Sequence, residues 1–202
     1  MGVYSKIKKR WKGRSNQTGT SLLGKVGSSE EYLNVLYAPI SENEINELEN
    51  YISNTKKCEE KFLKNYIEVL SEHNGAVLYG GSILFFGSTN HNKSVPFTYP
   101  SSIIRFNSID RVSSLFDNIL YIGNAVHKSK DNINFYYNLE NGMVFGCLKG
   151  DIVISWKDLE EFYEYIFSVY DDCYGDDGVH KFYNNKEQLV FYNVQLFDEE
   201  KN

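Results

Sequence analysis

Residues 71–87 read SEHNGAVLYGGSILFFG and mark the point at which the chain changes from helix to strand. Apolar residues recur at helical spacing through about residues 58–73, which predicts a helix. Asn74-Gly75 is typical of a helix end, because glycine adopts the left-handed conformation there without steric cost. Short apolar runs follow, and Gly80-Gly81 permits a bend between the first two. The stretch therefore predicts a helix that leads into a β-hairpin.

Another helix is predicted before this one, in the segment APISENEINELENYI. Ser41 has the character of an N-cap, and Glu44 lies three residues later, as in a capping box. Ile40 and Ile45 occupy the two positions of a hydrophobic staple. The sequence thus gives this helix a defined start near residue 41.

The segment after residue 75 alternates short β-branched or aromatic runs with Gly, Asn and Asp, which favours strands joined by turns. The runs are AVLY, SILFFG, ILYIG, NINFYYNL, GMVFGCL and DIVISW. Asn141-Gly142 predicts a tight hairpin turn with positive φ at both residues. A helix is predicted near 157–169 and a last strand at 188–197. Together these elements predict an α+β fold, with an antiparallel sheet packed against N-terminal helices and a closing helix.

The totals fit a packed protein of 202 residues, of which 42% are apolar and 15% are aromatic. Its three cysteines are far apart in the sequence and form no CxxC pair, which favours a reducing compartment; we expect a cytoplasmic protein. No run of 18 apolar residues is present, so no membrane span is expected. The basic N-terminus lacks the apolar region of a secretory signal.

Charge is distributed unevenly along the chain. Residues 1–29 carry seven basic and no acidic residues, whereas the remainder carries 14 basic and 27 acidic ones, a net charge of −13. We predict that residues 1–30 form a basic, flexible arm with a short helix around Tyr4–Trp11, and that residues 31–202 form one domain with a C-terminal extension. The arm is either a solvated terminus or a contact for nucleic acid, and the acidic body argues against phosphate binding by the domain itself.

Three patterns that resemble catalytic or metal sites have simpler interpretations. His73 has no nucleophile or orienting acid recognisable in the sequence, and a histidine at a helix end is favourable near the negative end of the helix dipole. Gly80-Gly81 lacks the lysine and the following helix of a phosphate loop. The four histidines and three cysteines show no metal-ligand spacing. We therefore expect no catalytic residue, no metal and no cofactor.

The segment YDDCYGDDG, residues 170–178, is the most unusual polar stretch in the chain. It is either a solvated acidic loop or, with the acidic helix before it, a surface that recognises a basic partner. In the second interpretation the tyrosines are the anchors of the contact. The predicted partner-binding residues are Glu160, Glu161, Glu164, Tyr170, Asp171, Asp172, Tyr174, Asp176 and Asp177.

The order of these features resembles the SMI1/KNR4 family, also called the SUKH superfamily, over roughly residues 38–170. The matching residues of its signature are Ile45, Leu48, Glu49, Asn74, Gly75 and Phe86-Gly87. ILYIGNA resembles its later strand, NINFYYNLENGMVFG its hairpin and WKDLEEFYEYIF its closing helix. The chain departs from the pattern in the linker SNTKKCEE, where Leu-Pro is usual, and at Ala76, where a second glycine is usual.

The resemblance implies a non-enzymatic binding domain. Bacterial members of the family are similar to immunity proteins that neutralise toxins, often nucleases, of polymorphic or contact-dependent toxin systems. Fungal members act as scaffolds in cell-wall and stress signalling. We expect an immunity protein that binds a basic cognate toxin in the cytoplasm and has no membrane partner; the alternative is a scaffold or regulatory adaptor of the same fold.

Overall fold

The computed structural model describes residues 2–28, 31–89, 99–126, 131–179 and 181. Within them nine strands form one antiparallel sheet, in which each strand pairs with the next along the chain. The strands are β1 (Gly13–Ser15), β2 (Ser21–Lys25), β3 (Tyr32–Leu36), β4 (Ala76–Leu78), β5 (Ile83–Phe85), β6 (Ile119–Val126), β7 (Asn132–Asn138), β8 (Val144–Leu148) and β9 (Asp151–Trp156).

Six α-helices accompany the sheet in the described residues. They are α1 (Ser5–Arg10), α2 (Glu42–Thr55), α3 (Glu60–Glu72), α4 (Ile103–Ile109), α5 (Arg111–Leu115) and α6 (Leu159–Asp171). The protein is therefore a mixed α+β protein, as predicted. Phe162 of α6 lies edge-on to Phe85 of β5 and to Phe135 of β7, at ring-centroid distances of 5.8 and 5.0 Å. The closing helix thus packs against the middle of the sheet.

The strongest sequence signals are confirmed. All six predicted strands between residues 76 and 156 are present, as are the helices predicted on either side of them. The capping box of α2 is complete, since Ser41 N donates to the Glu44 carboxylate at 3.0 Å and Glu44 N donates to Ser41 Oγ at 3.4 Å. The strand predicted at 188–197 lies outside the described residues.

The transition at residues 71–87 has a different local cause from the one predicted. Helix α3 ends at Glu72, and His73 is already extended, so no left-handed residue caps it directly. Asn74 fixes the exit instead: its side chain donates to Ser88 O at 2.6 Å and accepts from Ser88 N at 2.7 Å. Gly75 has φ +83°, and a Cβ there would lie 2.7 Å from Phe85 O. The glycine is required by close packing against β5 rather than by the helix end.

Both predicted hairpins form, with turns that differ in detail. Tyr79, Gly80 and Gly81 all have positive φ between β4 and β5, so the glycine pair makes this bend together with a strained tyrosine. Between β7 and β8 only Gly142 has positive φ, because the connection spans 139–143 and is longer than a two-residue turn.

The N-terminal segment differs most from its prediction. The short helix is present as α1, but the following residues are not a separate arm: β1 and β2 extend the sheet through β3. Tyr4, Ile7 and Trp11 are buried in the main core. The polar composition of this segment misled the prediction, because the exposed positions of short strands near a sheet edge are polar while the few apolar residues carry the packing.

Candidate functional site

The sequence-predicted partner residues fall into three structural groups. One group is exposed on the first half of α6, a second is largely buried at the end of α6, and a third is exposed on the loop that follows. In that order the groups are Glu160, Glu161 and Glu164; Tyr170, Asp171 and Tyr174; and Asp172, Asp176 and Asp177.

Asp171 is at the centre of the second group, and its side chain is only 17% exposed. Its Oδ1 accepts a hydrogen bond from Tyr79 OH at 2.8 Å and a longer one from Trp11 Nε1 at 3.4 Å. Arg10 Nη1 lies 3.4 Å from the same oxygen, and Arg10 Nη2 donates to Tyr174 O at 2.7 Å. We call Arg10, Trp11, Tyr79, Asp171 and Tyr174 the hub. The hub joins the N-terminal segment, the β4–β5 hairpin and the end of α6.

The two tyrosines predicted as partner anchors belong to the protein interior. Tyr170 and Tyr174 are 6% and 7% exposed, and both rings stack on Tyr79, at centroid distances of 5.2 and 5.3 Å. Tyr174 OH also donates to Tyr79 O at 3.0 Å. Burial raises the pKa of all three phenols, and the neighbouring Asp171 raises that of Tyr79 further. Their assignment to a partner surface is wrong, because no ring face is available to a partner.

The hub also explains how the left-handed Tyr79 is tolerated. A φ of 53° is unfavourable for a residue with a Cβ and costs on the order of 1 kcal/mol or more. The backbone N–H of Tyr79 donates to Asn34 Oδ1 at 3.1 Å, and its carbonyl, ring and hydroxyl are each held by the contacts above. Several independent contacts therefore fix this conformation, which makes the hub a structural unit.

The exposed loop acids are anchored mainly through their backbone. Asp177 O accepts from Gly27 N at 2.9 Å, and Asp172 O accepts from Lys181 Nζ at 2.8 Å. The Asp176 carboxylate is fully exposed, at the 4.0 Å limit of an ion pair with Arg10. The loop is thus a solvated acidic loop that closes over the N-terminal strands.

The uneven charge of the sequence is partly neutralised within the molecule. Basic residues of α1 pair with acids of α3, α6 and the following loop: Lys8 lies 3.4 Å from Glu72, and Lys6 lies 3.9 Å from Glu164. The Arg10 pair with Asp171 continues the series. The basic segment and the acidic body therefore contact each other, and the charge segregation of the sequence does not by itself reveal a partner surface.

A cleft of about 740 Å³ lies between α1, α3 and α6. Its apolar lining residues are Val3, Val69, Leu159, Tyr163 and Phe167. Five carboxylates face it against two lysines, namely Glu68, Glu72, Asp158, Glu160 and Glu164 against Lys6 and Lys9. We call this the acidic cleft. It combines apolar surface with an excess of negative charge, which suits a cationic group on an aliphatic stem.

The acids of the cleft differ in what they already bind. Asp158 is the N-cap of α6, and its carboxylate accepts from Glu161 N at 2.9 Å. Glu72 and Glu164 have their lysine partners on α1. Within the described residues, Glu68 and Glu160 make no ion pair or side-chain hydrogen bond, and both are exposed. These two carboxylates are available to a ligand without loss of an internal contact.

Two of the nine predicted partner residues, Glu160 and Glu164, line the acidic cleft. Glu161 does not line it. Its carboxylate accepts from Lys157 N at 2.7 Å and stabilises the start of α6. Sequence reasoning missed Glu68 and Glu72 of α3. Their spacing of four residues places them on one helix face, but the neighbouring helix cannot be read from local sequence.

His73 is buried beside α1, and its surroundings do not resemble those of a general base. Its Nδ1 lies 2.7 Å from Tyr37 O and donates to it, while the ring packs edge-on against Tyr4 at 5.4 Å. Burial lowers the pKa of His73, with the Tyr37 hydrogen bond opposing the shift. Burial therefore opposes the stabilisation of a cationic His73 that its position at the helix end predicts. The other three histidines lie outside the described residues.

The described residues offer neither a cluster of metal ligands nor a cysteine thiol whose pKa is lowered. No group of three or more His, Cys, Asp and Glu is placed there to hold a metal ion. Cys58, Cys147 and Cys173 are free, and burial raises the pKa of each thiol, that of Cys147 to about 11. In the part of the chain that the structure describes, no helix has the length and apolarity needed to cross a membrane.

Comparison of the chain with protein-family models, with curated proteins and with solved structures found no match.

Proposed function

We propose that the protein is a non-enzymatic immunity protein of the SMI1/KNR4 type, which binds and neutralises a cognate toxin in the cytoplasm. The observation that carries the proposal is the acidic cleft between α1, α3 and α6, in which five carboxylates face two lysines. The order of sequence motifs over residues 38–170 supports it independently.

The partner's charge follows from the chemistry of the toxin class. A nuclease must hold phosphate groups and is therefore basic around its active site. An acidic inhibitor gains fast, steered association with such a surface, and the complementary charges fix the orientation of the complex. Glu68 and Glu160 are available for this contact, whereas Asp171 is used inside the protein.

The test is coexpression with the toxin encoded by the adjacent gene. We expect the protein to restore growth of the host and to copurify with the toxin, and the toxin's nuclease activity to fall in proportion to the complex formed. Growth arrest despite folded protein, together with no copurification, would remove the proposal. Neutralisation at substoichiometric protein would instead indicate an enzyme that modifies the toxin.

The second candidate function is a scaffold or regulatory adaptor of the same fold. It is favoured by Ile109, Leu115 and Phe116, which lie on or beside α4 and α5 and are 71%, 68% and 54% exposed. Three large apolar side chains within eight residues are typical of a protein contact surface. A gene neighbourhood without a toxin, and capture of one endogenous protein by the wild type but not by Phe116→Glu, would favour this candidate.

A further inference from the structure

We propose that the acidic cleft binds an arginine or lysine side chain of a partner protein between Glu68 of α3 and Glu160 of α6. We further propose that Lys6, which pairs with the neighbouring Glu164, and Lys9 weaken this binding as competing cations that line the same cleft. The inference rests on the proposed function, because it names the contact through which a basic toxin is held.

The first support is that carboxylates of the cleft already pair with cations from α1. Lys6, which lines the cleft, has its Nζ 3.9 Å from Glu164, and Lys8, which does not line it, has its Nζ 3.4 Å from Glu72. These intramolecular pairs show that side chains from α3 and α6 can approach an ammonium group at this place. Glu68 and Glu160 face the same cleft and are still available.

The second support is that the lysines can exchange without release of α1. The helix is held by Tyr4 and Ile7, whose side chains are buried, and by Trp11 after its end. Lys6 and Glu164 are 54% and 63% exposed, so their pair is weak. An incoming cation can therefore replace Lys6 at Glu164 while the helix keeps its place.

The third support is the apolar part of the cleft. Val3, which precedes α1, is a partly exposed apolar residue of its lining, and the nearly buried edges of Val69, Leu159 and Phe167 lie beside it. Arginine and lysine carry aliphatic stems that pack on such a surface while the charged head remains among acids. The arrangement thus fits a long basic side chain better than a small inorganic cation.

The probe is a capped hexa-arginine peptide, with its binding to the full chain measured by calorimetry at low ionic strength. Two matched double variants locate the site: Glu68→Gln/Glu160→Gln in the cleft, and Asp172→Asn/Asp177→Asn on the loop. Each removes two exposed negative charges. We expect the cleft variant to bind about tenfold more weakly than the wild type, and the loop variant to change binding less than about threefold, because exposed charges at a distance are screened.

A second pair tests the competition by a gain of affinity, which misfolding cannot imitate. Lys6→Gln/Lys9→Gln removes two charges from the cleft, and Lys12→Gln/Arg14→Gln removes two from exposed positions that do not line it. We expect the first variant to bind the peptide about three- to tenfold more tightly, and the second to bind it clearly less tightly than the first.

Equal effects within either matched pair, absence of hexa-arginine binding to the wild type, or binding of a capped hexaglutamate peptide in its place would overturn the inference. These results are separate from the toxin test. A chain that rescues growth but fails the peptide tests retains the proposed function with a different interface, whereas one that passes them without rescue has a cationic partner that is not this toxin.

Discussion

The first half of α6 and residues 170–178, which include its last two residues, are similar in sequence, since both are acidic and rich in tyrosine. In the structure they differ in whether the acidic side chains already have partners within the protein. Glu160 on the first half faces an open cleft, whereas Asp171 at the end accepts hydrogen bonds from two aromatic side chains and pairs with Arg10. An acidic stretch indicates a partner surface only where the chain's own cations do not already occupy it.

The difference has an energetic consequence. A partly buried carboxylate that is paired and hydrogen-bonded stabilises the fold chiefly because its loss leaves its partners unsatisfied. An exposed carboxylate contributes little to stability and is free to contribute to binding. Stability measurements and binding measurements should therefore separate the two regions.

The largest effect is expected from Asp171→Ala. The change leaves Arg10 and the Tyr79 hydroxyl without their partner in a mostly buried hub, and we expect the free energy of unfolding to fall by about 2–3 kcal/mol. Asp172→Ala, one residue later and exposed, should stay within about 0.5 kcal/mol of the wild type. Urea denaturation of both variants checks this, and equal losses would show that the hub is not what distinguishes the two aspartates.

A smaller loss is expected from Tyr79→Phe. It removes one hydrogen bond to Asp171 from a buried ring and should cost about 1–2 kcal/mol. Tyr165→Phe is the control, because the Tyr165 hydroxyl is buried and has no hydrogen-bond partner among the described residues. Its loss should be neutral or slightly stabilising. If thermal and urea unfolding rank the two variants in the opposite order, the Tyr79 hydroxyl does not stabilise the hub.

The third prediction concerns His73, whose ring packs against Tyr4 just before α1. Burial lowers the pKa of His73 in the folded protein below its ordinary value of about 6.5. As the pH falls through that value, the unfolded chain therefore takes up a proton at this histidine before the folded protein does. Stability contributed by the neutral ring should fall as the pH drops through that value. The groups that face the ring are Tyr4, the residue before α1, Lys8 of α1, Glu72 of α3 and the Tyr37 carbonyl.

The measurement compares the free energy of unfolding at pH 7.5 and pH 5.5 in the wild type and in His73→Gln. The carboxylates titrate alike in both proteins, so the difference isolates the histidine. The wild type should lose more stability than the variant over this interval. An equal loss would show that His73 is protonated alike in the folded and unfolded states.

The smallest stability effect is expected for the pair of Lys6 and Glu164. Both side chains are more than half exposed, and a double-mutant cycle to alanine should give a coupling energy of about 0.5 kcal/mol or less. The same cycle for Arg10 and Asp171 should give a clearly larger value. Comparable coupling energies would contradict the contrast between an exchangeable pair in the cleft and a fixed pair in the hub.

The central part of the fold could be predicted because its signals are local. The strands from residue 76 to residue 156 have short apolar runs between turn residues, and the capping box of α2 lies within four residues. The N-terminal strands could not be predicted from local sequence. Gly13–Ser15 is exposed throughout, so it has no apolar pattern, and it forms a strand only because it pairs with β2. The hub was missed for the same reason, because Arg10 and Asp171 are 161 residues apart.

The candidate site was predicted in part. The acidity of α6 pointed to Glu160 and Glu164, which do line the cleft. Glu68 could not be added, because nothing in α3 indicates that its exposed face lies opposite α6. The sequence predicts Tyr170 and Tyr174 at the surface, because tyrosines that alternate with acidic residues are typical of an exposed segment. Aromatic rings next to acidic residues can nevertheless pack inward while the carboxylates point outward.

The most direct test of the account is the affinity of the adjacent-gene toxin for two charge-reversal variants. Glu68→Lys/Glu160→Lys reverses the cleft, and Asp172→Lys/Asp177→Lys makes the same change of charge on the loop; neither should alter the melting temperature appreciably, since all four side chains are exposed. The account predicts that the cleft variant loses toxin binding by at least about a hundredfold and the loop variant by less than about tenfold. The opposite ranking, with the loop variant losing more, would contradict it.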